Sequence, residues 1–466
     1  MSAKGDVTRA SDQESWPLLP QRDIVVYTEN GGIDATTFNR KVATIRQHLA
    51  HRPELRWALI CEDTFWFAVG FLALSQSHKI IIIPQTNQLA SVLTAQVSVI
   101  LTDQPACYAT AVATLDITSI PEFEAPENMD PDLDLSISIE LYTSGSTGFP
   151  KRVNKHLSQL HAEVSELETI WGEHLGSAVV LATVPHHHLY GLLFRFLWPW
   201  WMGRPFYAPT CIYPATLLEA AARFDRCVIV SSPAFLTRVA DFRIFRPVSS
   251  YPALFSSGAP LPIDTAKKIA TELEKPAIEV YGSTETGGIG WRTWSRDRED
   301  LSWQPFLSVE TKILGHSRKE PGHLLIRSPW TCCDDWVDTG DMAQHLSPEK
   351  FLLCGRADNI MKVEDKRVSL TEMEQFLITH ELVSEARIVV MEGKRMTVGA
   401  VVVLSKKGGE QLACHGTRAV RAELIKMLRA CYDPILVPRK WRFVPVIPGN
   451  SMGKSELERL RTLFME

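Results

Sequence analysis

The stretch from Arg56 to Ile83 constrains the fold most. The apolar run Arg56–Ile60 is followed by a helical run, Phe65–Ser75, and then by a second apolar run, Lys79–Ile83. This is strand, helix, strand, with a span suited to a parallel crossover. Short apolar runs go on alternating with helical patterns through the first ~350 residues, which predicts α/β layers. With 466 residues, 45% hydrophobic and 22% charged, the chain can bury a large core. Its length allows roughly two to four domains. The predicted fold class is α/β: a large multi-layer N-terminal domain of mixed sheets and helices, and a small C-terminal α+β domain on a hinge.

Ala106–Asp134, rich in proline and acids, reads as an irregular surface segment. Beyond it Leu135, Ile137, Ile139 and Leu141 alternate with polar residues, as in a strand with one buried face. That strand runs into Thr143-Ser144-Gly145-Ser146-Thr147-Gly148-Phe149-Pro150-Lys151. Lys151–His156 reads as a return strand. Ser158 is the expected N-cap of a helix with Leu160, Val164, Leu167 and Trp171 on one face. A boundary falls near Gly355–Asp358. After it come helix-start residues around Thr371 and Glu374, a helix to about His380, strands Glu385–Met391 and Val398–Leu404, and a helix Thr417–Cys431. The predicted division is a core over 1–355, a hinge at 356–358 and a mobile domain over 359–466.

The formal net charge of −5 gives no footprint for nucleic acid, and the short basic pieces are interleaved with acids. The nine cysteines lack Cys-x-x-Cys spacing, which fits reduced thiols in a cytoplasmic protein. Met1–Trp16 is polar and predicts no signal peptide. The apolar runs, the last of them Leu192–Trp201, all fall short of the ~18 to 20 residues of a membrane span.

Two glycines three apart among four hydroxyl residues let backbone N–H groups approach phosphate oxygens, with Lys151 adding charge at the far end. The spacing is not that of the common nucleoside-triphosphatase loop, and alone it also fits a flexible turn. Four further motifs follow in order. Tyr281-Gly282-Ser283-Thr284-Glu285-Thr286-Gly287 succeeds the apolar strand Ala277–Val280, where a ligand crevice forms at strand ends. Trp336-Val337-Asp338-Thr339-Gly340-Asp341 comes next. Then come Gly355-Arg356-x-Asp358 with Lys362, and finally Gly449-Asn450-Ser451-Met452-Gly453-Lys454.

Taken together, these motifs resemble those of the adenylate-forming superfamily: acyl- and aryl-CoA synthetases, peptide-synthetase adenylation domains and firefly-type luciferases. The resemblance runs from about Ile80 to Lys454. It implies ATP and Mg²⁺ as cofactors and a carboxylic acid as substrate. Thr143, Ser144, Gly145, Ser146, Thr147, Gly148 and Lys151 would hold the β- and γ-phosphates. Thr284 would bond the α-phosphate, and Glu285 with Thr147 would hold Mg²⁺. Ser257, Gly258, Ala259 and Pro260 would line the adenine, with Tyr281, Gly282 and Ser283 beside it. Asp341 and Arg356 would reach the ribose or phosphate, Asp358 would be the hinge, and Lys454 would bridge the α-phosphate and the attacking carboxylate. By themselves Asp341 and Arg356 also fit a surface ion pair, and Lys454 a tail lysine. Lys362 fits a solvated lysine as well as a functional one.

Pro185-His186-His187-His188-Leu189-Tyr190-Gly191 carries three consecutive histidines. On a strand His186 and His188 would point away from His187, and nothing nearby completes a metal site. The resemblance makes His188 the residue that opens the acyl pocket, beside Leu189 and Tyr190. Ser232, Pro233, Ser257 and Gly282 form its other walls. The aromatics from Phe194 to Trp201 read as helix core. An aromatic or a medium-chain acid fits equally. Two residues depart from the family pattern: Arg152 stands for the usual glycine after the loop lysine, and Asp365 for a glycine that lets a pantetheine arm pass. The run from Pro185 to Pro199 resembles the stand-alone ligases of aryl-polyene and xanthomonadin-type pigment clusters. That likeness implies transfer to an acyl carrier protein, with CoA as the alternative acceptor. A nucleotide-binding pseudoenzyme is the alternative of another class.

Overall fold

The computed structural model describes residues 24–464 except 85, 88, 109–111, 123–132, 145–149, 240–250, 295–300, 316–319, 348, 358–359, 364–365, 392–396, 433, 435 and 448–456. The chain packs as two compact units. One comprises Met1–Asp300 with Phe306–Val309 and Ser328–Asp334, the other Leu301–Pro305, Glu310–Arg327 and Asp335–Glu466.

The crossover forms as expected. Arg56–Ile60 pairs parallel with Ile80–Ile83 through helix Thr64–Gln76, whose N-cap Asp63 accepts from Phe65 N at 2.7 Å. That helix is apolar on every side and buried accordingly. The six-stranded sheet around it runs Ala113–Asp116, Val99–Thr102, Arg56–Ile60, Ile80–Ile83, Ser138–Ser144, Pro150–His156. All neighbours are parallel except the last pair. Ala113–Asp116 corrects the expectation of an irregular segment there. It is a four-residue edge strand with no fully buried face, so it carries no alternation to read. The helix after the return strand also begins earlier than expected, at Leu157 with His156 as N-cap. Gln159 Oε1 accepts from His156 N at 2.8 Å, so the strand turns directly into the helix and Ser158 lies inside it.

A second sheet in this unit places Gly287–Thr293, Ile278–Ser283, Leu254–Ser256, Cys227–Ser231, Val179–Ala182, Phe206–Tyr207, Val26–Thr28 and Gly31–Ile33 side by side. The four strands from Ile278–Ser283 to Val179–Ala182 are mutually parallel. A cluster including Leu181, Ile229, Leu254, Ile269 and Trp294 packs against it.

The second unit holds an antiparallel sheet of Glu310–Leu314, Gly322–Arg327, Val337–Ser347 and Lys350–Arg356. It also holds the hairpin Ile360–Val363 with Lys366–Ser369, and helix Leu370–Ile378 against the sheet Val383–Met391, Thr397–Leu404, Lys440–Phe443. Glu374 Oε1 accepts from Ile388 N at 2.7 Å, tying that helix to its sheet. The run Lys406–Cys431 is two helices separated at Gly416, with φ of +75°: the expected one after it, to Cys431, and one before it, from Lys406, that the sequence did not show. Glycines 408 and 409 weaken the helical signal there, and Ser405 Oγ caps the start by accepting from Gly408 N at 3.1 Å. Among the described residues no helix is long and apolar enough to cross a membrane. All nine cysteines are free thiols.

Candidate active site

The four parallel strands of the second sheet deliver the expected site residues to one edge. Past their carboxyl ends the chain enters Pro185–Tyr190, Ser232–Phe235, Ser257–Pro260 and Thr284–Thr286. Such an edge is where open α/β sheets bind ligands. Ser257 Oγ donates to Val280 O at 2.8 Å, which fixes the turn of Ser257, Gly258, Ala259 and Pro260 against the next strand. The register shifts between Tyr281 and Gly282, a bulge that re-aims the residues after it. Ser283 N donates to Thr286 Oγ1 and Thr286 N to Ser283 Oγ, each at 3.1 Å. This closed turn presents Thr284 and Glu285.

The strands flanking the expected phosphate loop lie in the other sheet of the same unit. Thr143 pairs with Lys151 and Ser144 with Pro150, so both ends of the loop are held in register. Gly145, Ser146, Thr147 and Gly148 lie outside the described residues. Lys151 Nζ stands 3.2 Å from Glu285 Oε1, with the Glu285 side chain 37% exposed. Burial raises the Glu285 pKa, but its own backbone N–H and the Lys151 ammonium outweigh that, and the net shift is downward. Glu285 is therefore an ionised, reachable carboxylate. Among the described residues no three His, Cys, Asp or Glu side chains converge. A hard cation here would take one carboxylate oxygen and fill its shell from water and ligand oxygens, as Mg²⁺ does with nucleotides.

Behind Glu285 lies a buried polar cluster that sequence reasoning missed. Lys155 Nζ donates to Glu285 O at 3.1 Å and to Trp330 O at 2.6 Å. Glu163 Oε1 accepts from Gly288 N at 2.7 Å, and Trp330 Nε1 donates to Gly288 O at 2.9 Å. Burial pushes the Glu163 carboxyl up to about 7, against the pull of Lys155 and the Gly288 N–H. Burial likewise lowers Lys155, against Glu163. The one signal in the sequence was an acid at position 163, directly beside the buried Val164 of the helical face.

Arg152 acquires a physical role. Arg56 grips Glu140 with two bonds, Nη1 to Oε1 at 2.6 Å and Nη2 to Oε2 at 2.9 Å. Arg152 Nη1 adds a second cation 3.7 Å from Oε1 of this nearly buried carboxylate. The arginine thus braces the hairpin that carries the loop.

The histidine run forms a turn, not the strand on which alternating orientation was expected. His186 is buried. Its Nδ1 lies 2.9 Å from Thr64 Oγ1 and its Nε2 2.9 Å from Cys61 O, so it is a structural residue of the core. Burial drives its pKa well down, and burial with His188 and Arg195 drives His187 to about 3. Arg195, fully buried, donates to Val184 O at 2.8 Å and to Thr210 Oγ1 at 2.7 Å, pinning the start of the turn. Gly191 approaches Pro185 so closely that a Cβ would fall 1.9 Å from the Pro185 oxygen. His188, Leu189 and Tyr190 are held between these anchors. The Phe194–Trp201 aromatics are buried, with Phe194 between Tyr190 and Phe255 at centroid distances of 4.8 and 5.2 Å.

In the second unit Asp341 and Arg356 are cross-strand partners, with Arg356 Nη1 3.4 Å from Asp341 Oδ1. Arg356 Nη1 also donates to Thr339 O at 3.1 Å. Asp358, Asp365 and Lys454 lie outside the described residues.

Residues 60–332 match the model of the AMP-binding enzyme family, and residues 372–454 match that of the AMP-binding enzyme C-terminal domain. The chain belongs to this family, and so to the adenylate-forming superfamily. Among its relatives, 4-chlorobenzoate–CoA ligase of Arthrobacter sp is 25% identical over 378 residues, 74% of this chain and 69% of that protein. Mitochondrial malonate–CoA ligase of Homo sapiens is 23% identical over 380 residues, 69% of this chain and 64% of its own length. The fold is that of ATP-bound MatB from Rhodopseudomonas palustris, with a TM-score of 0.81 at 18% identity over 97% of each chain.

Proposed function

We propose that this chain activates an aromatic or medium-chain carboxylic acid with ATP and passes the acyl group to a phosphopantetheine thiol, that of an acyl carrier protein ahead of free CoA. The observation that carries the first step is the 3.2 Å approach of Lys151 to Glu285, which joins the phosphate loop to the turn bearing Thr284. Membership of the AMP-binding family supports it.

A carboxylate must approach a polyanion, so repulsion has to be screened before displacement at the α-phosphorus. A carboxylate oxygen forms a bond to that phosphorus as the bond to the bridging oxygen breaks, and pyrophosphate leaves. Lys151 and the loop amides stabilise the leaving pyrophosphate, and Thr284 holds the α-phosphate. Lys454 pairs with the incoming carboxylate. Mg²⁺, held by Glu285 and Thr147, neutralises phosphate charge when bound. Asp341 and Arg356 bind the ribose, and His188, Leu189, Tyr190, Ser232 and Pro233 shape the acid pocket. The thiol sulfur then bonds to the acyl carbon as the bond from that carbon to the AMP oxygen breaks; AMP leaves and the thiol proton passes to solvent. In this reading a hinge at 356–358 with Asp358 turns the domain over 359–466 to replace Lys454 with the thiol.

Acid-dependent exchange of pyrophosphate into ATP, run over a panel of aromatic and fatty acids, tests adenylation. Exchange is expected with at least one acid and is lost in Lys454→Ala. Exchange with none overturns the reading. For the acceptor, thioester should form faster on a phosphopantetheinylated carrier protein than on CoA, and Asp365→Gly should improve CoA use. Equal rates on both acceptors would remove the preference; the relatives named above are CoA ligases, which makes CoA the alternative acceptor.

A further inference from the structure

Lys155 has the burial of a core residue and the chemistry of a site residue. It is 1% exposed, Trp330 is 1% exposed and Glu163 is 3% exposed. Holding an ammonium in such a place costs desolvation, and an apolar side chain of similar length would fill the space without that cost. Fold stability therefore does not account for the charge. Both of its hydrogen-bond acceptors are backbone carbonyls, and one of them belongs to Glu285. Lys151, four residues earlier on the same strand face, touches the carboxylate of that same Glu285. One residue is thus gripped at its carboxylate by one lysine and at its main chain by another.

The rest of the cluster clamps the far end of the same turn. Trp330 donates through its indole to Gly288 O while its own carbonyl accepts from Lys155. Glu163 Oε1 accepts from Gly288 N, and its Oε2 is buried with no hydrogen-bond partner. Lys155 makes no hydrogen bond to that oxygen, but the two charges act on each other through space, so Glu163 when ionised offsets the buried ammonium.

We propose that Lys155, with Glu163 as its counter-ion, is a positioning residue that fixes the main chain of Glu285 so that its carboxylate meets the cation carried by the nucleotide. The assignment deepens the adenylation reading and rests on Glu285 being the cation ligand. It makes the clamp a determinant of affinity for Mg²⁺–ATP, and not for the acid or for ATP alone.

The test uses the full chain as Lys155→Met/Glu163→Gln, which removes both buried charges together, and as Trp330→Phe, which loosens the clamp without touching them. Calorimetry measures ATP affinity with Mg²⁺ and with chelator, and thermal melting confirms folding. The expected result for the double variant is about a tenfold fall in Mg²⁺–ATP affinity with metal-free ATP affinity unchanged, as for a sub-ångström misplacement of a binding group. Trp330→Phe should show a fall of about two- to threefold in the same ratio. The KM for the acid should stay at the wild-type value in both. A wild-type ratio in whichever variant folds overturns the proposal and makes the cluster structural. Absence of acid-dependent exchange in the wild type would instead sink the adenylation reading, and the calorimetric ratio would still report on Lys155.

Discussion

Replacing Gly191 by alanine is a test of how rigidly the proposed acid pocket is built. The new Cβ would stand 1.9 Å from the Pro185 oxygen and 2.9 Å from its carbon. Both are backbone atoms, so no side chain can rotate away, and relief takes a displacement of at least about 1 Å. One side of the contact cannot yield easily. Val184 O is held by Arg195 at 2.8 Å, and His186 is bonded on both ring nitrogens. The shift therefore falls on His187–Gly191, and it carries His188 and Tyr190 with it. Overpacking of this kind costs about 1–3 kcal/mol of stability. A reacting group misplaced by about 1 Å loses up to about 10²-fold in rate. Gly191→Ala should lower kcat/KM for the acid by about 10- to 100-fold in the pyrophosphate exchange assay, with the KM for ATP within about twofold of wild type. Wild-type acid kinetics in the folded variant, or an equal loss in ATP binding, would refute the reasoning.

Two further predictions concern stability. Burial raises the folded pKa of Glu163 from 4.5 to about 7, so between those pH values the folded chain keeps a proton that the unfolded chain has lost. Stability therefore falls as pH rises through that window, and Glu163→Gln should flatten this part of the melting-temperature profile. An unchanged slope would show that the proton is held elsewhere. Arg152→Gly removes a half-exposed cation 3.7 Å from Glu140 and should cost less than about 1 kcal/mol, whereas Glu140→Gln should cost roughly 2 kcal/mol because Arg56 loses both its charged bonds. Denaturant unfolding orders the two variants, and the reverse order would disprove the brace.

What the sequence revealed was whatever repeats or follows a spacing. The crossover at Arg56–Ile83 and the strand entering the phosphate loop carry their period in the chain itself. Ala113–Asp116 did not, because an edge strand with one neighbour needs no buried face. The helix before Gly416 was hidden by its two glycines, which propensity counts against a helix while a serine cap and packing decide for it. At the proposed site, Ser257, Thr284 and Glu285 were legible as motifs after strands, whereas Tyr281 lies inside a strand that runs on to Ser283. Lys155, Glu163 and Trp330 were not, because their meaning is a meeting of residues 155 and 330 across the fold. His186 was visible as one of three histidines, but only its bonds to Thr64 and Cys61 separate it from His188.

The return strand Pro150–His156 has a consequence as a ruler. A strand advances about 3.3 Å per residue and alternates faces, so Lys151 and Lys155 sit about 13 Å apart along it and on one side. Losing or gaining a single residue between them would turn Lys155 to the opposite face and break its hold on Glu285 and Trp330 together. Such an indel would do more harm than any substitution in the segment. The length of this short strand therefore matters more than most of its letters, because the count of residues sets which face Lys155 occupies.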